Sequence, residues 1–257
     1  MAGTACRKNR RRHGASRVLA DAPVVAAGKS KVTLRQFWLE PYCDRFTTRI
    51  ARTDGELVWL EESIFFAQSG GQESDSGTIA GVPVVNAAQV DGDLQYLMPG
   101  NHGLKAGQAV EVVIDWPRRY ALMRLHFAAE IVLEVAMRDF GLTEKIGAHI
   151  AAHKARIDFL YPEPVTTLLP GILAQAQQVI DRDCVIVSDW QDRKSEKRFW
   201  RIEGFASVAC GGTHLRRTSE VGQLALSRKN LGRGKERIEI TARAPATVAR
   251  SRGDAVS

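Results

Sequence analysis

The chain has 257 residues, 44% of them apolar and 25% charged, with a formal net charge of +7. That length holds one large or two modest domains, and no apolar run approaches the ~20 residues a membrane-spanning helix needs. A basic N-terminus with no apolar core segment is not a secretory signal. Four scattered cysteines (Cys6, Cys43, Cys184, Cys210) argue for a reducing, cytoplasmic setting rather than a disulfide framework.

Residues 1–31 hold eight Lys/Arg and one acid, Asp21, and so account for the whole net charge. The remainder is neutral, and the basic character belongs to a tail. Residues 1–33 read either as an arm that grips phosphates or as a disordered leader, with the folded protein beginning near Val32.

From residue 34 to 115 short apolar stretches alternate with turn residues. Strands are expected near Ile50, Leu57 to Leu60, Val82 to Val85, Leu94 to Leu97 and Ala109 to Ile114, with Asp54-Gly55, Asp91-Gly92 and Pro99-Gly100 as turns. Their spacing predicts a small β-barrel or sandwich. The stretch from Ser69 to Gly77 is too rich in Gly and Ser for a strand and reads as a loop with a dedicated role.

The pattern changes at Asp115-Trp116-Pro117. Asp caps a helix, Pro suits its first turn, and Gly141 stops it, so a helix is expected over Ala121 to Phe140. Leu122, Leu125, Ala129, Val132, Leu133 and Ala136 form its apolar face, with His126 and Glu130 beside that face, one turn apart. A strand pair follows at Ile146 to Ile150 and Ala155 to Leu160, then a second helix from about Thr166 to Arg182. Further strands are expected at Val185 to Ser188, Phe199 to Ile202, Leu224 to Ser227 and Arg237 to Thr241. Strands flanked by long helices, without regular alternation, make the fold class α+β. The domain boundaries expected are thus 34–115 and 116–243, with 244–257 a disordered tail.

Cys210-Gly211-Gly212-Thr213-His214 sets a thiol and an imidazole four residues apart on a turn that two glycines allow to wrap closely. With His126 and Glu130 it supplies two imidazoles, a carboxylate and a thiolate, all competent zinc ligands. The bare spacing equally admits a buried structural Cys210 and a His126 satisfied by a backbone carbonyl. His149-Ile150-Ala151-Ala152-His153 also has metal-ligand spacing, but it precedes a strand. Spacing of four unites two His only on a helix, so these are expected to be hairpin histidines.

Three motifs in order, Phe65 to Gln72 with Asp75 and Gly77, Arg124-Leu125-His126, and Cys210 to His214, resemble the free-standing alanyl-tRNA editing proteins. Those proteins are similar to the editing region of alanyl-tRNA synthetase and to a domain of threonyl-tRNA synthetase. Arg217 to Gly222 and Arg237 to Ile240 continue the likeness, which spans about Leu34 to Arg243. The resemblance implies a glycine-loop β-barrel followed by a zinc-bearing α+β editing domain. It implies one zinc per chain and a trans-acting deacylase that frees serine or glycine from mischarged alanine tRNA. In that reading His126, Glu130, Cys210 and His214 form the metal site, His126 and Glu130 carry the catalysis, and Ser69, Gly70, Gly71, Gln72, Arg216, Arg217, Arg233 and Lys235 meet substrate or tRNA.

Two residues depart from the family pattern: Glu130 stands where a second helix His is usual, and Ser69 where the loop usually begins with Gly. Glu130 then either ligates zinc, acts as general base on a water held by the other three residues, or marks a site that has lost its metal. A catalytically silent tRNA-binding protein and a zinc hydrolase with another ester or amide substrate are the alternatives.

Overall fold

The structure, a computed structural model, describes residues 32–245. The expected leader (but for its last two residues) and most of the expected tail lie outside that range. Thr33, counted with the leader, is buried and tied to the fold: its N–H donates to Asp93 Oδ1 at 2.9 Å and its hydroxyl to the Leu60 carbonyl at 2.8 Å.

The first region is a seven-stranded sheet in the order Val82–Pro83, Gly77–Ile79, Ala109–Ile114, Arg45–Asp54, Leu57–Leu60, Asp93–Leu97, Asn86–Val90. Arg45–Asp54 joins its two halves. Residues up to Arg49 pair with Ala109–Ile114, and Ile50 onward pairs with Leu57–Leu60 across a register shift. The period of two turns Phe46, Thr48 and Ile50 inward while Arg45, Thr47 and Arg49 face out. The inner faces gather Phe46, Ile50, Leu60, Phe65, Ile79, Tyr96 and Val112 into one core. No pairing joins the two end strands among the described residues, so by hydrogen bonding the sheet is open.

The second region is built on the helix Trp116–Phe140. Asp115 Oδ1 accepts from the Arg118 N–H at 3.2 Å, and Gly141 ends the helix at φ 74°, a left-handed conformation that Gly adopts without penalty. The expected single apolar face is too narrow a description. Met123, Arg124, His126, Phe127, Ala128 and Ile131 are buried as well as Leu122, Leu125, Ala129 and Val132. The cause is packing on several sides: against a second helix, Leu169–Asp181, against a four-stranded sheet, and against the turn Thr218–Val221. That antiparallel sheet runs Lys145–Ile150, Ala155–Leu160, Lys235–Arg243, Gln223–Gly232. A three-stranded sheet, Val187–Asp192, Lys197–Ile202, Ala206–Ala209, adds Trp200, whose ring meets Phe127 edge-on at 5.2 Å. Burying each such side chain contributes about 1.5–3 kcal/mol.

A buried ion pair fastens the two regions together. Arg119, fully inside, donates to Asp75 Oδ1 at 2.8 Å and to the carbonyls of Ile64 (2.6 Å) and Pro41 (3.0 Å). Asp75 also accepts from the Phe66 N–H at 2.7 Å. With both charges fully partnered, the pair fixes the glycine loop against the first turn of the helix.

Candidate metal centre

The central helix carries His126 to one side of a point that the loop Cys210–His214 approaches from the other. His126 Nε2 lies 3.2 Å and His214 Nε2 3.3 Å from Cys210 Sγ. The three ligand atoms all fall within 4.8 Å of one another, with both imidazoles buried. Zinc–nitrogen and zinc–sulfur bond lengths put N and S of one tetrahedron roughly 3.5 Å apart. The donor set, its spacing and its burial fit a borderline-soft divalent ion.

Each ligand is placed by its backbone. Arg124, one turn's edge away on the helix, sends its guanidinium to the carbonyls of Glu220, Val221 and Ala242, which locks the segment holding His126. The Cys210 N–H donates to the Arg198 carbonyl at 2.9 Å, so the loop leaves the three-stranded sheet in a fixed direction. Gly212 sits against the His126 ring, where a Cβ would come within 2.4 Å of Cε1. Only glycine allows the loop so close. His214 shares a 2.8 Å hydrogen bond between Nδ1 and the Ser188 hydroxyl, which leaves Nε2 aimed at the centre. His126 Nδ1 is buried without a partner.

Glu130 stands beside this group rather than within it. Its Oε1 is 3.5 Å from His126 Nε2 and 3.8 Å from Cys210 Sγ, while Oε2 accepts from the Trp200 indole N–H at 3.1 Å. Burial alone would raise the Glu130 pKa, but hydrogen bonding and charge from His126 hold it down at about 2. Burial likewise disfavours charged His126, yet the adjacent Cys210 sulfur and Glu130 carboxylate carry its pKa up to about 10. His214, buried and facing His126, is pushed down to about 3.

The glycine loop reaches the centre from the first region. Ser69 and Gln72 close a tight turn with two backbone hydrogen bonds, and Gly71 passes the Ala148 carbonyl so closely that a Cβ would lie 2.7 Å from it. Gln72 is buried, and its amide donates to the Thr213 hydroxyl at 3.2 Å, while its Oε1 has no partner. Ser69 and Gly70 are exposed at the turn's outer side.

The expected basic contacts are scattered. The Arg216 guanidinium lies 4.2 Å from the Tyr42 ring centroid, and Arg217 is engaged with Asp183 at 2.7 Å. Arg233 and Lys235 occupy the exposed tip of the hairpin between the last two strands. Lys235 pairs with Leu160, at the end of its strand opposite Ala155 and the Gly71–Ile150 contact, so the tip is about five residues, or roughly 17 Å, away along the strand. His149 is the next-to-last residue of the strand Lys145–Ile150 and His153 lies in the following turn, with no helix to unite them, as their setting predicts. Ser188, Trp200 and Trp38, whose indole N–H donates to the Gly211 carbonyl at 2.7 Å, were not singled out by sequence reasoning. Trp200 and Arg198 share the inner face of an alternating strand, which is the one signal that points to them.

A two-region α+β protein with a buried His/Cys/His group between a central helix and a glycine-bearing loop defines the class: one built around a candidate metal centre. Comparison with known proteins specifies it further. Residues 198–239 match the family model described as the threonyl and alanyl tRNA synthetase second additional domain. The chain is 28% identical to the alanyl-tRNA editing protein AlaX-M of Pyrococcus horikoshii over 81% of this chain and 97% of that protein. It is 28% identical to the AlaX-M of Methanosarcina barkeri, over 80% and 97%. The alanine–tRNA ligase of Ignicoccus hospitalis is 30% identical over 82% of this chain, which spans only 26% of that enzyme. The chain is a relative of the free-standing alanyl-tRNA editing proteins, as its three motifs imply.

Proposed function

We propose that this protein is an aminoacyl-tRNA deacylase acting on mischarged alanine tRNA, releasing serine or glycine with the help of one zinc ion. The observation that carries the reading is the group His126, Cys210 and His214, which stands in a chain that matches a named editing protein over 81% of its own length. The seven-stranded sheet over residues 34–115 acts as the barrel-like domain and residues 116–243 as the editing domain. The setting is the cytoplasm, where charged tRNA is found.

His126, Cys210 and His214 would hold the ion, which when bound supplies Lewis acidity at the ester. Glu130, anchored by Trp200 at Oε2 and facing His126 and Cys210 with Oε1, favours the general-base reading over ligation. Its carboxylate takes a proton from the attacking water as the water oxygen bonds to the ester carbon. The carbon–ribose oxygen bond then breaks, and the proton passes to the ribose oxygen as the amino acid leaves. Gln72, held by Thr213, offers an unpartnered amide oxygen to the substrate's ammonium or ribose hydroxyl, and Gly70 and Gly71 in the turn offer backbone N–H groups. Arg216, Arg217, Arg233 and Lys235 meet the tRNA backbone.

The test is metal analysis with release of labelled serine, glycine and alanine from charged alanine tRNA. About one zinc per chain and release of serine or glycine are expected, with both lost in Cys210→Ala. Full activity in metal-free protein would overturn the zinc role, and zinc-loaded protein inert on every charged tRNA would overturn the substrate.

A further inference from the structure

Among the described residues, one buried cation in the second region has no hydrogen-bond or ion-pair partner. Arg198 is 6% exposed, its Nε is enclosed without a hydrogen bond, and no hydrogen bond or ion pair reaches its guanidinium among the described residues. An unpaired guanidinium in the interior is strongly unfavourable, so such a group marks a place where an anion arrives.

Its location is informative. Along Lys197–Ile202 the side chains alternate, and Trp200 and Arg198 share the buried face. Trp200 reaches Glu130, and Arg198, two residues away, opens onto a cavity of about 300 Å³ that Trp38, Ser188 and His214 also line. Trp38 and Trp190 hold the guanidinium carbon 5.6 and 5.3 Å from their ring centroids. Aromatic faces orient a guanidinium without using its N–H donors, which remain available. Glu40 lines the same cavity and Asp189 attracts the charge from nearby, but neither forms an ion pair with it.

We propose that this cavity seats the phosphodiester immediately preceding the acylated terminal nucleoside, with the Arg198 guanidinium donating to its non-bridging oxygens. The proposal rests on the deacylase reading. An anion in this cavity is held at a fixed offset from the centre, because His214 and Ser188 belong to both. An esterified amino acid brings no anion: its carboxyl is the ester and its amine is cationic. The anion nearest the ester in the substrate is the 5′-phosphate of the same nucleotide.

The experiment has two arms. Arg198→Met is compared with the unaltered protein on seryl-tRNA and on 2′(3′)-O-seryl-adenosine, which lacks that phosphate, with zinc content and melting measured alongside. kcat/KM should fall about 10- to 100-fold on the tRNA ester, and at least about tenfold less on the adenosine ester. Equal losses on the two esters overturn the proposal. If Arg198→Met does not fold, Arg198→Lys, which keeps charge but loses the fork, should show the same inequality in smaller measure. The second arm needs no activity. Calorimetry on the unaltered protein compares cytidylyl-adenosine with its uncharged methylphosphonate analogue. Binding of the charged dinucleotide should be at least about tenfold tighter, whereas equal binding or none overturns the proposal. A protein that prefers the charged dinucleotide yet deacylates nothing would leave the cavity assignment standing and sink the deacylase reading.

Discussion

His126 and the Cys210/His214 pair reach the candidate centre by opposite means. The helix residue is fixed by burial on nearly every side and by an arginine that bonds three carbonyls, two in the turn Thr218–Val221 and one in the strand Lys235–Arg243. Thr213 and His214 are buried as well, but no helix carries them. The loop residues are fixed by props: the Arg198 carbonyl on Cys210, the Trp38 indole on Gly211, the Gln72 amide on Thr213 and the Ser188 hydroxyl on His214. A helix defines a ligand through packing that many residues share, whereas a loop defines it through a few bonds, each of which can be removed singly.

That contrast can be broken at graded cost. The largest stability effect is expected where the helix side is anchored to the other region. Asp75→Ala strands Arg119 uncompensated in the interior and should cost about 3–5 kcal/mol, read as a fall in chemical-denaturation midpoint. A loss below 1 kcal/mol would show that the ion pair does not hold the regions together. Gly212→Ala drives a methyl into the His126 ring and forces either helix or loop to yield, at about 1–3 kcal/mol. Its zinc affinity should fall along with its stability, and a variant with unchanged affinity would mean that the loop is freer than its contacts imply. Ser188→Ala removes a single prop and should leave melting nearly unchanged while weakening zinc binding about 10- to 100-fold, measured by competition with a chelator.

The smallest effect concerns the four-stranded sheet, away from the centre. Burial would raise the Asp158 pKa, but hydrogen bonds and charge from Arg237 and Arg156 hold it below the ordinary carboxylate value. A depressed folded-state pKa contributes stability that is present above the unfolded value, near about 4, and is lost as pH falls through the folded one. The stability gap between the unaltered protein and Asp158→Asn should therefore narrow below about pH 4. A gap that holds constant down to pH 2 would remove the ion pairs from that account.

How much of this was legible in the sequence follows the same division. The helix was legible at both ends because Asp115, Pro117 and Gly141 are local signals, and its caps are where those residues place them. Its burial was not, since Arg119, Arg124 and His126 count as surface residues until partners 44 to 118 positions away are known. Cys210 and His214 were legible as a pair. The props were not, because Ser188, Trp38 and Trp200 carry no local mark of what they touch. Strands Gly77–Ile79, Asn86–Val90 and Ala206–Ala209 escaped notice for simpler reasons: they are short, or polar and exposed, and supply too few apolar residues to set a period.

The bonds from Gln72 to Thr213 and from Trp38 to Gly211 span 141 and 173 residues of chain. Contacts of such separation form only after long loops have closed, and their entropy is recovered late. During synthesis His126 emerges well before either of its loop partners, and the loop meets its props only when nearly the whole polypeptide is free to collapse. The centre is thus braced by contacts that join the two ends of the described chain, and an ion bound there would bear on both regions at once.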